Sequence, residues 1–485
     1  MAVSDTEPAI ALTRLGLGAR PGELDRVGRD PRGWALAQIR SHGAPQPSGD
    51  LVDSNQRMSD FLTYQAIGAE AVRNRPAAPA GPAAVDAGPQ AIRQARQAAR
   101  KAISEDTDKE FLARARLGAT TDHGFAERWA LFWSNAITVS ATKFTAAAFA
   151  GQYEREAIRP HVFGKFEDLA LAAEQHPAML FYLDQARSIG PDSRAGARRR
   201  GAGLNENLAR EMMELHTVGA EAGYAQADVT ELARALTGWS VPTHRDEGVG
   251  DRQGGRRQGA NAAERTPHAF VYRPEYHEPG ERRVMGKTYP AGDLEQGQAI
   301  LRDLARHPAT ARRLSHRIAA HFIADDPPPA LVARLEQTWT TTGGDLAEVA
   351  RALVEAGETW SPQPLKMKTP YEFIISAHRA TGTEPDRLSP LRAALADMGQ
   401  PMFAAPSPEG WPDSTADWIG PDALVKRLNW AKRFGGLAGA ENPGAVAAQA
   451  LGPRLGDRTR LAVARAESRP EAMTLFLMSP EFQRR

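Results

Sequence analysis

Apolar residues recur at intervals of three and four along most of the chain, which is the spacing of an amphipathic helix. The densest example begins at Phe125 and continues with Trp129, Phe132 and Trp133, so we expect a buried helix there. After Asp293 the same period continues almost to the last residue, and no repeat of fixed length interrupts it. The pattern predicts a mainly α protein, a large multi-helix architecture that resembles a bundle.

Strand-like alternation is confined to one short region. Residues 270–272 and 282–285 alternate around Pro279 and Gly280, which predicts one small β-hairpin. Residues 187–203 and 244–266 are rich in Gly and Arg and are long for loops inside a folded domain. Loops of that length are either functional or disordered, and both interpretations stay open at this point.

Composition divides the chain of 485 residues into four predicted regions. Residues 1–74 form an N-terminal helical segment. Residues 75–100 contain a Pro- and Ala-rich linker and the start of an exposed basic helix. Residues 101–292 form a central helical region with the predicted hairpin, and residues 293–485 form a C-terminal helical region.

The composition also excludes several classes of protein. The 60 Lys and Arg side chains balance 59 Asp and Glu side chains, so the chain is not a strongly basic nucleic-acid binder. It has no cysteine, which excludes disulfides, thiolate metal sites and cysteine nucleophiles. No apolar run reaches the length of a transmembrane helix, and the first residues lack a secretory signal, so we expect a cytoplasmic protein.

The most concentrated polar chemistry lies between Gly203 and Thr217. Asn205 is a good N-cap, which predicts a helix over residues 206–217. On a helical wheel of about 100° per residue, three apolar residues form its core stripe: Leu208, Met212 and Leu215. The wheel places Asn207, Glu211 and Glu214 along one flank of this stripe, His216 on the other flank, and Glu206 and Arg210 away from the core.

Glu211 and Glu214 are three residues apart, so their carboxylates converge on one flank of the predicted helix. Such a pair suits either two ligands of a divalent metal ion or an acid and a base. His216, and His277 at a probable turn beside Glu278, are further candidate catalytic residues. A structural interpretation is equally simple, because Glu206 and Arg210 would form an ion pair and a glutamate early in a helix suits its dipole.

Indole rings beside polar groups at helix or loop ends indicate a candidate binding surface. The candidate substrate-binding residues are Trp133, Asn135, Trp239, Trp411 and Asp413, together with Asn205, Asn207 and Arg210 of the predicted helix. We expect a pocket between that helix, the helix end at residues 133–135 and the turn at residues 275–280. Taken one by one, such tryptophans belong to a core more often than to a pocket.

Several short motifs accompany these residues. They are Phe132-Trp-Ser-Asn135, His176-Pro-Ala-Met-Leu180, Gly203-Leu-Asn-Glu-Asn207 through His216-Thr217, His277-Glu-Pro-Gly280, Lys368-Thr-Pro370 and Gly410-Trp-Pro412. Together they resemble the bacterial domain-of-unknown-function family 1800, from about Leu12 to the last residue. The biochemical role of this family is not established, so the resemblance implies no particular activity. It does allow export, because family members are often exported. The family usually has a histidine after the Asn of its Trp-x-Asn segment, where this chain has Ala136.

Two functions therefore stay open. The first is a hydrolase-like or carboxylate-metal enzyme, with Glu211 and Glu214 as metal ligands or as an acid/base pair. The second is a non-catalytic binding or assembly protein that recognises an anionic polymer or partner through its Arg-rich loops. In that case the run Arg198-Arg-Arg200 would carry the charge-assisted contacts.

Overall fold

The computed structural model of the protein describes residues 5–73, 87–198, 203–244, 269–439 and 441–485. Helices dominate these residues, and the strands in them form only two small two-stranded sheets, so the predicted mainly α class is confirmed. Residues 75–86 of the predicted linker segment 75–100, Arg199 and Arg200 of the predicted loop 187–203, and residues 245–266 of the predicted loop 244–266 lie outside the described part. No helix among the described residues is both long and apolar enough to cross a bilayer.

The α-helices follow one another closely along the chain. Their bounds are Glu7–Ile10, Glu23–Val27, Pro31–Leu36, Ser54–Arg73, Ala87–Thr120, Gly124–Ala136, Phe144–Ala147, Ala150–Gln152, Phe166–Gln175, Pro177–Tyr182, Asn207–Glu211, Gln226–Leu236, Leu294–Arg306, Pro308–Phe322, Pro329–Thr342, Leu346–Glu355, Pro370–Thr381, Leu388–Asp397, Pro421–Leu437, Pro443–Leu451, Asp457–Ala464, Arg469–Leu477 and Pro480–Gln483.

Shorter helical turns complete the backbone. Three segments are π-helices: Ala11–Leu15, Tyr153–Ile158 and Met212–His216. The 3-10 turns are Gln185–Arg187, Gly196–Arg198, Ala220–Ala222, Gly357–Trp360, Thr415–Trp418 and Gly452–Arg454. Each π-helix widens the backbone locally, and such segments are frequent at functional sites.

Many helices begin where the sequence places a capping side chain before a proline. Asp30, Thr369, Asn442, Ser468 and Ser479 each accept a hydrogen bond from a backbone N–H of the first turn, and a proline follows each of them within two residues. The cap satisfies a donor that has no partner within the helix, and proline has no N–H to lose at that position. These local signals explain why the chain breaks into many short helices.

The strands pair differently from the prediction. Trp239–Ser240 pairs antiparallel with Val271–Tyr272, and Arg282–Val284 pairs antiparallel with Lys287–Tyr289. The predicted pairing of residues 270–272 with residues 282–285 is therefore wrong. Gly286, at a φ of 80°, makes the tight turn between the second pair of strands, and sequence alternation alone did not distinguish the two partners.

The buried apolar side chains form two clusters. The first extends from Ile10 to Trp360 and contains the Gly124–Ala136 helix. The second joins the helices from Tyr371 to Phe482 and also includes Leu17 and Phe111. The division of the chain into four regions stays a prediction. The two clusters are the part of the fold that positions the cavity described below.

Candidate functional site

The predicted helix over residues 206–217 is present, but it is not a uniform α-helix. An α-helix over Asn207–Glu211 continues directly into the π-helix Met212–His216. In a π-helix the backbone hydrogen bonds connect residues five apart, so a wheel of about 100° per residue no longer applies. His216 is buried and Leu215 is only half-buried, so the prediction that Leu215 completes the core stripe is wrong.

The π-helix brings Glu211 and His216 close together, although the wheel placed them on opposite flanks. Burial raises the pKa of Glu211, and so do the charges of Glu214 and Glu174, whereas the charges of His216 and Arg210 lower it. The net effect is a raised pKa. The side chain of Glu211 is half-buried.

His216 forms a fully buried pair with a residue that sequence reasoning missed. Its Nδ1 lies 2.6 Å from Oε1 of Glu174, and neither side chain has exposed surface. Nε2 of His216 and Oε2 of Glu174 have no hydrogen-bond partner among the described residues. The sequence did contain a signal: in the Phe166–Gln175 helix, Glu174 continues the buried stripe of Phe166, Ala170 and Ala173.

Glu214 occupies different surroundings from Glu211. Nη1 of Arg210 donates to Oε1 of Glu214 at 3.3 Å, and Nη2 of Arg210 donates to Glu206 at the same distance. Burial and a hydrogen bond with Glu214 raise the pKa of Tyr224 to about 12. The predicted ion pair between Glu206 and Arg210 is therefore confirmed, and Glu214 is held in the same network.

The two asparagines at the start of this helix have local roles. Oδ1 of Asn205 accepts from the backbone N–H of Asn207 at 2.9 Å, and Nδ2 of Asn205 donates to the carbonyl of Leu183 at 3.1 Å. The helix begins at Asn207, so Glu206 occupies the capping position that was predicted for Asn205. The side chain of Asn207 is exposed.

His277 does not lie on an exposed turn, as the sequence predicted. It is buried, with Nδ1 at 2.9 Å from the carbonyl of Thr237 and Nε2 at 2.8 Å from the carbonyl of Gly292. The two ring nitrogens of His277 therefore face the backbone carbonyls of two different segments, and its catalytic role stays a prediction. Trp239 is also buried, with its ring edge against Phe270 at 5.9 Å between centroids.

A cavity of about 100 Å³ brings together three other predicted residues, Asn135, Trp411 and Asp413. Nδ2 of Asn135 donates to the carbonyl of Trp411 at 2.9 Å, and Oδ1 accepts from the N–H of Trp411 at 2.7 Å. The residues that line this cavity include none of Glu211, Glu214, His216 and His277. Trp133 is fully buried against Phe166 and Trp339 and does not line the cavity either.

The same cavity contains a second histidine–carboxylate pair that sequence reasoning missed. Nδ1 of His321 lies 2.8 Å from Oδ1 of Asp413. Burial lowers the pKa of His321 to about 4 although the charge of Asp413 opposes this, so the imidazole is neutral at pH 7. No local sequence pattern predicts this pair, because 92 residues separate His321 from Asp413.

The side chains around Glu211 and Glu214 do not favour the binding of a divalent cation. Among the described residues, no group of three or more histidine, aspartate or glutamate side chains is placed to hold a metal ion. Glu214 already pairs with Arg210, whose positive charge would compete with a cation.

Of the predicted arginine run, Arg198 is exposed, and Arg199 and Arg200 lie outside the described residues.

The comparisons with known proteins identify a family and no function. The sequence model of DUF1800, described as a protein of unknown function, matches residues 10–484, which is nearly the whole chain. No curated protein and no solved structure shows a significant match.

Proposed function

We propose, from the premise that the chain belongs to the DUF1800 family of proteins of unknown function, that it is an enzyme of hydrolytic type. Glu211 would be its general acid or base. The observation that carries the proposal is the state of this carboxyl group: its side chain is half-buried, and its pKa is raised chiefly by that burial. A group of this kind gives up or takes a proton closer to neutral pH than an ordinary glutamate does.

His216 and Glu174 support Glu211 from the buried side. Glu174 fixes the orientation of the imidazole through Nδ1, and the charge of His216 acts on Glu211 across the π-helix. A histidine oriented by a carboxylate is a recurring arrangement in acid–base catalysis. We assign His216 and Glu174 as positioning residues, because they have no exposed surface that could touch a substrate.

Glu214 supplies the contrast that acid–base catalysis needs. It is paired with Arg210 and hydrogen-bonded with Tyr224, whereas Glu211 is half-buried and forms no ion pair with a described residue. When two carboxyl groups lie on one helix in unlike surroundings, their pKa values differ, so that one can serve as the acid and the other as the base. This proposal uses no metal ion, and it keeps the two carboxylates that the sequence singled out.

The test compares Glu211→Gln with the wild type on p-nitrophenyl acetate, p-nitrophenyl glycosides and p-nitrophenyl phosphate. We expect the wild type to hydrolyse one of these classes and the variant to lose at least about 100-fold in kcat, which is the usual contribution of a general acid or base. Glu295→Gln, on an exposed glutamate of another helix, is the matched control and should retain full activity. Equal rates for Glu211→Gln and the wild type would refute the assignment.

The binding alternative depends on the Arg-rich loops, which lie largely outside the described residues. It becomes the better hypothesis if the wild type hydrolyses none of the three classes. Retention on heparin that falls steeply with salt, and that weakens when Arg198, Arg199 and Arg200 are all changed to Gln, would then support it.

A further inference from the structure

An open groove of about 950 Å³ lies on the second hydrophobic cluster, and we call it the Leu437 groove. The helices Leu388–Asp397 and Pro421–Leu437 supply most of its lining, and the Pro370–Thr381 helix contributes Ile374 and His378. None of Glu211, Glu214 and His216 lines it, so a function of this groove is independent of the proposed function.

The inside of the Leu437 groove is apolar and rigid. The rings of Trp430 and Phe434, one helical turn apart, stack with their centroids 4.8 Å apart, and each residue has 9% of its surface exposed. Leu391 and Ala394 line the groove from the other helix. Large aromatic side chains have few rotatable bonds and lose little conformational entropy when a partner covers them. The groove is therefore a preformed surface for an apolar side chain.

Leu437, the last residue of its helix, lines the same groove but points its side chain to solvent. Its surface is 85% exposed, which is the highest value for a large apolar residue in the part of the chain that the structure describes. A single exposed leucine is ordinary on a protein surface, whereas an exposed leucine beside an apolar groove extends one continuous patch. Such patches mark interaction sites.

The charged residues that line the groove are balanced in sign. They are Asp386, Arg387, Asp397 and Arg433. Asp386 and Arg387 pair with each other at 3.3 Å, whereas Asp397 and Arg433 form no ion pair with a described residue. A patch with equal numbers of both signs can face a copy of itself without net repulsion, and a patch of one sign cannot.

We propose that the Leu437 groove is the interface of a homodimer, in which Leu437 of each copy packs into the groove of the other copy. In a two-fold dimer both copies use the same surface, so this surface must be complementary to itself. The groove meets this requirement in shape, because an exposed leucine lies beside an apolar groove, and in charge, because its acidic and basic groups balance. A partner of different sequence would require neither feature, so a second copy is the occupant that these observations favour.

The size of the groove predicts a weak dimer. The Pro421–Leu437 helix has 17 residues, which corresponds to a length of about 25 Å. A strip of that length and about 20 Å wide, the width of two helices, covers about 500 Å². A stable interface needs roughly 800 Å² on each partner, so we expect a dissociation constant in the range of about 1 to 100 µM.

Sedimentation equilibrium of the full chain, at concentrations from about 1 µM to about 200 µM, tests the proposal. We expect the average mass to rise with concentration from the 52.5 kDa of one chain towards twice that value. Leu437→Ser should weaken association at least tenfold, and it should leave the fold intact because the side chain is exposed. Leu461→Ser, at an exposed leucine of the Asp457–Ala464 helix, is the matched control and should associate like the wild type.

Arg433 provides a second pair of variants that test the charge balance. Arg433→Glu gives the groove a net negative charge and should weaken association several-fold, whereas Arg433→Lys keeps the sign and should associate like the wild type. The mass of a single chain at every concentration, or unchanged association of Leu437→Ser or of Arg433→Glu, would overturn the proposal. A monomeric wild type that carries a bound apolar molecule in native mass spectrometry, lost in Leu437→Ser, would assign the groove to a ligand and would also overturn it.

Discussion

Nδ1 of His216 lies 2.6 Å from Oε1 of Glu174, although 42 residues separate them in the chain. His216 reaches this position because the helix that carries it widens into a π-helix over its last five residues. Glu174 reaches it because its helix, Phe166–Gln175, turns a buried face towards the same place. The pair therefore depends on two separate helices having one particular arrangement.

Changing Glu174 to Gln should lower the free energy of unfolding by about 1–2 kcal/mol, because a hydrogen bond that involves a carboxylate becomes a neutral one in a buried place. Urea denaturation followed by circular dichroism measures the change. Asp168→Asn, at an exposed position of the same helix, is the control and should stay within about 0.5 kcal/mol of the wild type. Equal stability of Glu174→Gln and the wild type would mean that the pair contributes nothing to folding.

Glu211→Gln should behave in the opposite way. A raised pKa in the folded state means that the ionised carboxylate is less stable there than in the unfolded chain, so this group opposes folding above a pH of about 4.5. Because the side chain is half-exposed, we expect removal of its charge to stabilise the protein at pH 7 by only a few tenths of a kcal/mol up to about 1 kcal/mol.

The pH dependence separates this effect from a change in packing. The stability difference between Glu211→Gln and the wild type should shrink as the pH falls through about 4.5 and disappear below a pH of about 3.5, where the wild-type carboxyl group is protonated in both states. Glu214→Gln is the matched comparison, since it breaks the ion pair with Arg210 and should be neutral or slightly destabilising at pH 7. Destabilisation of Glu211→Gln by 2 kcal/mol or more would instead assign this residue a structural role.

Asn135→Ala should destabilise the protein by about 2 kcal/mol, because it removes both hydrogen bonds that join the Gly124–Ala136 helix to the backbone of Trp411. Asn207→Ala, at an exposed asparagine without side-chain hydrogen bonds to described residues, should change stability by less than about 0.5 kcal/mol. Thermal unfolding of the two variants measures the contrast. A similar melting temperature for both would contradict the proposed anchoring role of Asn135.

Local pattern predicted the helices well because most of their determinants are local. Caps, prolines and apolar stripes occur within a few residues of each other, and they gave the mainly α class and the buried helix that contains Trp133. The Met212–His216 segment was predicted less well, because the wheel assumes one hydrogen-bond spacing throughout. A change from four to five residues moved His216 from the flank of the helix into the core.

The candidate sites show the limit of local pattern more clearly. Residue type alone singled out Asn135, Trp411 and Asp413, and the structure places all three around one cavity. Their partners could not be found in this way, since 276 residues separate Asn135 from Trp411 and no alternation or motif links such distant positions. Pairs of this kind are created by the packing of one hydrophobic cluster against the other.

The low pKa of His378 predicts that the free energy of unfolding falls at acid pH. Burial lowers its pKa to about 4 despite the charge of Asp386, and its ring packs against Phe434 at 5.0 Å while Nδ1 contacts Oγ1 of Thr383 at 2.9 Å. In the unfolded chain the pKa returns to about 6.5. The unfolded state therefore binds a proton between pH 6.5 and pH 4 that the folded state does not bind, and stability falls as the pH falls through this window.

His378→Gln removes this proton-binding difference. The loss of unfolding free energy between pH 7.5 and pH 4.5 should be smaller in the variant than in the wild type by about 2 kcal/mol, which follows from the two pKa values. Urea denaturation at several pH values measures both curves. The comparison uses the change with pH and not the absolute stability, so any packing cost of the substitution cancels. Parallel curves for the two proteins would show that His378 takes up its proton over the same pH range in the folded and unfolded states, and that burial does not exclude its charge.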